Sequence, residues 1–155
     1  MFTSGVELNF SATILGAVIS GAPAIPIYTY LKPEDYRYYI ADSEAVAVIA
    51  DHTIAPMIAS MRDQLPNLRH LLSARERVQG LDFLDEALAA QPEAAETHPI
   101  EPDDMAFWLY SSGSTGNPKG TTHVHTSPMA TAKLFGQGVL GMNESDVVFS
   151  AAKLF

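Results

Sequence analysis

The chain contains no cysteine, which excludes a disulfide framework, a thiolate nucleophile and any zinc site built on thiolates. It is also poor in charge: Asp, Glu, Lys and Arg make up 17% of its 155 residues, against ~25% in an ordinary soluble domain. A small protein has proportionally more surface to keep wet, so this shortfall implies surface that further protein covers. Basic residues are the scarcer sign. Nine Lys and Arg stand against eighteen Asp and Glu, a net charge of −9 with His neutral. Without clustered cations, a nucleic-acid backbone is excluded as a general partner. Apolar residues are plentiful at 47%, enough to offset the entropy of ordering, so the chain is not a disordered one. Its length suits one domain or a piece of a larger one.

Leu8 to Leu31 carries no formal charge and is long enough to be tested as a membrane span, which needs ~20 apolar residues. Asn9, Ser11, Thr13, Ser20 and Thr29 interrupt its hydrophobicity, and Gly21, Pro23 and Pro26 break any single helix beyond about Ser20. The preceding flank holds Glu7 and no basic residue, unlike a secretion signal. The expectation is a cytoplasmic chain with no membrane partner.

Periodicity predicts a helix over Asn9 to Ser20, where Phe10, Ile14, Leu15, Val18 and Ile19 share a broad apolar face closed by Gly21. Ala24 to Tyr28, interrupted by Pro26, reads as an edge or irregular strand. Pro33 stands at a favourable first position for a helix over Glu34 to Ala41, with Glu34 and Asp35 in its first turn. The uninterrupted run Ala45 to Ala50 is the kind of strand that is covered on both faces of a parallel sheet. A helix around Ile54 to Gln64, a strand at Leu68 to Leu72 and a helix at Leu81 to Ala90 continue the alternation. The fold class is therefore α/β, a parallel-type sheet with flanking helices. Between Leu81 and Ala106 there are eight acids and no Lys or Arg, read as a solvated helix face and linker rather than a metal site. Met105 to Tyr110 is a dense apolar strand, and Thr121 to His125 is extended. Thr126 or Ser127 can cap a helix that has Pro128 at its first position and runs to about Phe135. Asp146 to Ala151 is one more strand.

The aromatic strand runs directly into SSGSTGNPKG, Ser111 to Gly120. A buried strand delivering a loop of Gly, Ser and Thr aims backbone N–H groups at a phosphate. Gly113 and Gly116 remove side chains where an anion must approach and permit positive φ. Ser111, Ser112, Ser114 and Thr115 supply hydroxyl donors, and Lys119 a positive charge at the far end. The pattern is not G-x-x-x-x-G-K-[ST]: counted from Gly113, Pro118 occupies the place of the second Gly, and Gly120 follows the Lys. A phosphotransferase of that type therefore loses its support. The competing bland reading is a surface turn.

SSGSTGNPKG closely resembles the phosphate-loop signature of the adenylate-forming (AMP-binding) enzymes, the group of acyl-CoA synthetases, luciferases and peptide-synthetase adenylation domains. With its flanks, FWLYSSGSTGNPKGTTHVHTSP and GVLGMNESDVVFSAAKLF, the chain resembles the benzoate and hydroxybenzoate CoA-ligase branch. Upstream, ILGAVISGAPAIPIYTYLKPEDYRYYIADSEAVAVIAD resembles that group's first α/β subdomain. The resemblance implies a piece of the large N-terminal domain, with residues 1–100 in the first subdomain and 101–155 holding the phosphate-loop strand, the loop and the next helix and strand. The small C-terminal domain and its catalytic Lys would lie outside it. It implies an acid–CoA ligase that uses ATP with Mg²⁺ to adenylate a carboxylic acid, then CoA to form a thioester. In such enzymes the loop matching Ser111 to Lys119 grips the β- and γ-phosphates, and no catalytic set is complete in this chain. On its own it is expected to be inactive and poorly soluble. The alternative is a noncatalytic nucleotide- or anion-binding module.

His123 and His125 alternate on an extended segment and could face the same way, but two ligands without a third make no metal site. By resemblance, His125 lines or supports the site. Lys153 and Phe155 begin a stretch that in the resembling ligases leads into the acyl pocket. GQGVLG, Gly136 to Gly141, spells G-x-G-x-x-G, yet it follows a helix instead of a strand and leads into Asn143 and Glu144. It is read as a helix end and turn rather than a dinucleotide site.

Overall fold

A computed structural model of the chain describes residues 2–3, 8–94, 96–111 and 116–149. Strand β1 (Phe2–Thr3) leads to helix α1 (Leu8–Ile19). Gly21, at φ 75°, ends that helix with paired bonds from its own N–H to the Val18 carbonyl at 3.1 Å and from the Ala22 N–H to Ala17 at 2.9 Å. This is the left-handed stop that glycine makes without a Cβ penalty. An added Cβ would also meet the His98 ring at 2.6 Å. Helix α2 (Pro33–Asp42) begins at the expected proline, and Asp35 in its first turn accepts the Lys32 N–H at 3.3 Å. Then follow β2 (Ala47–Asp51), α3 (Ala55–Ser60) with a 3-10 turn at Arg62–Gln64, β3 (His70–Ala74), β4 (Asp82–Phe83) and α4 (Leu84–Ala89).

Strands β1, β2, β3 and β4 lie side by side in sequence order, each pair parallel. Val48 and Ala50 of β2 and Leu71 of β3 are buried with Tyr36 and Ile40 of α2, Ile58 of α3, and Ile25 and Ile27 of the extended segment after α1. Helix α3 packs on α2, β2 and β3. The Tyr36 hydroxyl, inside this core, donates to the Tyr28 carbonyl at 3.2 Å. A second sheet consists of β5 (Met105–Ser111) and β6 (Lys119–Val124), paired antiparallel. The Ala24 N–H donates to Ala106 and the Trp108 N–H to Ala24, at 3.0 and 2.9 Å, so the proline-broken segment is the irregular edge partner of β5.

Asp51 closes β2 at the carboxyl end of the parallel sheet and is buried. Its Oδ1 accepts the Thr53 N–H at 3.0 Å and the Thr53 hydroxyl at 2.6 Å, and its Oδ2 accepts from Arg75 at 3.3 Å. Arg75 holds a φ of 72°, a left-handed conformation unfavourable for a residue with a Cβ. Burial by itself pushes the Asp51 carboxyl up, but the Thr53 and Arg75 donors and nearby His52 outweigh it and hold the group below its ordinary value. A depressed carboxyl stabilises the fold fully above the unfolded value of 3.8 and loses that contribution as the pH falls through the lower folded value. Asp51→Asn is therefore expected to flatten the acid limb of stability. Urea midpoints of both forms between about pH 3 and about pH 6 measure it, and equal slopes would refute it.

Several boundaries differ from the sequence expectation. β3 starts two residues later than Leu68, because Leu65 and Leu68 are buried in the turn that feeds it and the backbone joins β2 only from His70. The helix expected over Leu81 to Ala90 starts at Leu84: Asp82 and Phe83 pair with Leu72 and Ser73 first. The second sheet is antiparallel, a hairpin in an otherwise parallel arrangement. Ser127 does not cap the next helix. It is the first residue of α5 (Ser127–Thr131), Thr126 makes no side-chain cap, and the Ser127 hydroxyl accepts the Val124 N–H instead. The helix continues past Phe135 as a π-helical turn, Ala132–Gln137. Residues 146–149 form no strand and pair with no other described strand; Ser150 and Ala151 lie outside the described residues.

The acidic stretch behaves as a solvated face and linker, exposed at every described position from 91 to 104, with Glu86 of α4 paired to Arg77. Large apolar side chains are exposed on α5 and beyond: Leu134 at 74%, Val147 at 96% and Phe149 at 87%. Among the described residues, no helix is long and apolar enough to cross a membrane.

Candidate phosphate-binding site

The alternation in Met105 to Ser111 puts Trp108 and Tyr110 on one face of β5, where both pack against the core under α2. The opposite face carries Phe107, whose ring stacks on His123 of β6 with centroids 4.6 Å apart and planes 8° apart. The β5–β6 register pairs Phe107 with His123, Trp108 with Thr122, Tyr110 with Gly120 and Ser111 with Lys119. Ser111 and Lys119 thus stand across from each other at the mouth of the loop. Ser112, Gly113, Ser114 and Thr115 lie outside the described residues. On the returning limb Gly116 has φ 137° with open space where a Cβ would stand, so it supplies backbone freedom rather than clearance. Gly120 supplies the clearance. A Cβ there would lie 3.1 Å from Trp108 Cε3 and 3.5 Å from Tyr110 Cε1. Lys119 is exposed.

The hairpin stem is fastened to α2 by three groups that sequence reading missed. The Tyr110 hydroxyl donates to Asp42 Oδ2 at 2.7 Å, and the Tyr38 hydroxyl donates to the Pro118 carbonyl at 3.0 Å, with Asp42 Oδ1 at 3.4 Å. The Tyr39 ring lies 4.5 Å from that of Tyr110. Burial, then the hydrogen bond to Asp42 and its charge, raise the Tyr110 hydroxyl well above its ordinary value. It remains a protonated donor across the physiological range. The Y-R-Y-Y run of α2 was the available signal, but nothing local indicates a partner about 80 residues away.

His125 stands just beyond β6, its N–H donating to the Asp104 carbonyl at 3.1 Å. Its Nε2 is buried without a hydrogen-bond partner among the described residues. His123 is occupied with Phe107, so the two imidazoles have separate surroundings. Among the described residues no group of three or more His, Asp or Glu side chains could hold a metal ion. Gly136 to Gly141 lies in the π-helical turn and the bend after it, where Gly141 takes φ 68°. The turn that follows is closed by Asn143 Oδ1, which accepts from the Ser145 N–H at 3.0 Å and from its hydroxyl. That is a helix end, as expected, rather than a strand-to-helix dinucleotide turn. Lys153 and Phe155 lie outside the described residues.

Residues 6–155 match the family described as AMP-binding enzyme. The chain is 45% identical over 148 residues to a benzoate–CoA ligase of Thauera aromatica, covering 96% of this chain and 28% of that protein. It is 37% identical to a 4-hydroxybenzoate–CoA/benzoate–CoA ligase of Rhodopseudomonas palustris, covering 96% and 27%. In structure it is similar to an anthranilate CoA ligase solved in complex with anthranoyl-AMP, with a TM-score of 0.93, 35% identity, and coverage of 99% of this chain and 30% of that one. A benzoate CoA ligase from Burkholderia xenovorans LB400 gives a TM-score of 0.78 at 33% identity, covering 99% and 29%. The chain thus spans under a third of the length of these relatives. A parallel α/β scaffold and a family match over nearly every residue agree: the chain belongs to the AMP-binding enzyme family.

Proposed function

We propose that this chain is the phosphate-gripping part of an ATP-dependent acid–CoA ligase whose acid is a benzoate-type aryl carboxylate. The observation that carries the reading is the β5–β6 register, which sets Ser111 opposite Lys119 and so brings the two ends of the SSGSTGNPKG motif together at the end of a packed aromatic strand. In this reading the carboxylate oxygen attacks the α-phosphorus of ATP and the bond to pyrophosphate breaks, leaving an acyl-adenylate. The CoA thiol then attacks the acyl carbon and AMP departs with the electron pair. Ser111, Ser112, Gly113, Ser114, Thr115, Gly116 and Lys119 bind the β- and γ-phosphates. Their hydroxyl, N–H and ammonium donors are held where charge grows on the departing pyrophosphate. Mg²⁺ would share the neutralisation of phosphate charge when bound. Residues 1–100 belong to the first α/β subdomain and 101–155 to the phosphate-loop unit, with His125, Lys153 and Phe155 as candidate site-lining residues. A cytoplasmic setting, where both ATP and CoA are available, fits this reading.

The aryl class rests on relatives that are named for benzoate, hydroxybenzoate and anthranilate. The test is carboxylate-dependent exchange of labelled pyrophosphate into ATP by the protein of the complete reading frame containing these residues, across a panel of aryl and alkyl acids. Exchange with an aryl acid, and AMP as product, is expected. ADP as product would indicate phosphoryl transfer, and ATP binding without exchange for any acid would favour a noncatalytic binder.

A further inference from the structure

Asp42 is the last residue of α2 and stands where the helix dipole is negative, with no basic residue in that last turn. As part of the helix alone it is unfavourable. Its surroundings supply a different role, because its two carboxylate oxygens face two tyrosines from different parts of the chain. Tyr110, on Oδ2 at 2.7 Å, is the last aromatic of β5 and immediately precedes Ser111. Tyr38, with Oδ1 at 3.4 Å, lies one helical turn before Asp42. Its single hydroxyl proton is nearer the Pro118 carbonyl, at 3.0 Å. That carbonyl belongs to the peptide unit that enters Lys119. One carboxylate therefore sits between a tyrosine fixing the strand that enters the loop and a tyrosine fixing the peptide that leaves it.

We infer that Asp42, Tyr38 and Tyr110 form a clamp that sets the backbone from which Lys119 and Ser111 reach ATP, so that Tyr38 and Asp42 act as positioning residues for phosphate binding. The inference rests on the reading of Ser111–Lys119 as the phosphate loop. Three further features of the stem agree with a fixed geometry. Tyr39 packs on the Tyr110 ring, Trp108 lies edge-on to Tyr110 with centroids 6.4 Å apart, and Gly120 lets β6 lie close to the Trp108 ring, where a Cβ would stand only 3.1 Å from Cε3. The Tyr38 hydroxyl holds the Pro118–Lys119 peptide and the ladder to Ser111 holds the next, so the backbone from which the Lys119 side chain leaves is anchored on both sides. Positioning of this kind lowers the reorganisation needed when charge develops.

The test uses Tyr38→Phe, Asp42→Asn and Lys119→Met in the complete protein, with pyrophosphate exchange read against ATP and against the aryl acid separately. Loss of one such hydrogen bond is expected to raise KM for ATP about three- to tenfold and leave KM for the acid unchanged. Asp42→Asn should do the same while its melting temperature stays level or rises, since it removes an acid from a helix C-terminus. Combined with Lys119→Met, Tyr38→Phe should add little, because the group it positions is gone. The clamp is overturned if both variants keep the wild-type KM for ATP while Lys119→Met impairs exchange. It is equally overturned if they raise both KM values together with a lowered melting temperature, the pattern of a merely structural contact. If Lys119→Met is itself harmless, the phosphate-loop reading fails first and the clamp with it.

Discussion

Lys119→Met in the complete protein is expected to slow pyrophosphate exchange by about a hundred- to a thousandfold, the range seen when one preorganised donor is removed from a site of developing charge. The side chain is well suited to a clean test. Lys119 is exposed at the first position of β6, so its removal leaves no buried cavity and no orphaned buried partner. The backbone ladder to Ser111 is untouched by the substitution. The fold should therefore survive, and melting of the variant should match the wild type. Methionine preserves most of the apolar stem while deleting the charge, so the loss reads as electrostatic. Arginine at this position should recover only part of the rate, because a planar fork and a compact ammonium do not present charge to a phosphate in the same way. A change in exchange of less than about threefold would remove Lys119 from the chemistry, since that is no more than a neutral surface hydrogen bond is worth.

Ile58→Ala should cost about 2–5 kcal/mol of unfolding free energy, the usual range for truncating a fully buried branched aliphatic side chain. Ile58 is completely buried. It belongs to the cluster that joins α3 to Val48 of β2, Leu71 of β3 and Ile40 of α2. Two helices and the sheet meet there, and their backbones are tied into a ladder and helical turns that resist closing over the lost volume. The cavity term therefore adds to the transfer term rather than relaxing away. Urea denaturation of the complete protein measures it, and a shift below about 1 kcal/mol would mean that the site collapses or that α3 contributes little to the folding unit. Ile58→Val is a milder comparison, expected to cost about 0.5–1.5 kcal/mol. The two predictions separate cleanly. Ile58 is far from the loop in the chain and should alter stability with little change in KM for ATP, whereas Lys119 should do the reverse.

Legibility in the sequence followed the range of the interaction. The helix over residues 8–19, its glycine stop, the proline-started α2 and the aromatic β5 were all readable, because each is fixed by neighbours within a few positions: apolar spacing, a φ-restricted proline, a glycine free to turn left-handed. The boundaries that moved were those decided by pairing. β3 begins where its backbone meets β2, and Asp82 and Phe83 left the expected helix because Leu72 and Ser73 offered them a ladder. Residues 146–149 have strand composition and form no strand among the described residues, since composition supplies a propensity while a ladder needs a neighbour.

The sequence by itself determined the α/β class, the acid-rich linker and a loop whose glycines, hydroxyls and lysine suit phosphate, because those depend on residue type and local spacing. Tertiary structure alone decided that Ser111 and Lys119 face each other and that Tyr38, Tyr110 and Asp42 fasten the stem of that loop. The reason is distance along the chain: Tyr38 meets Pro118 across 80 residues and Asp42 meets Tyr110 across 68. No local propensity encodes which far segment will arrive with an oxygen at hydrogen-bonding range; packing of α2 against β5 does.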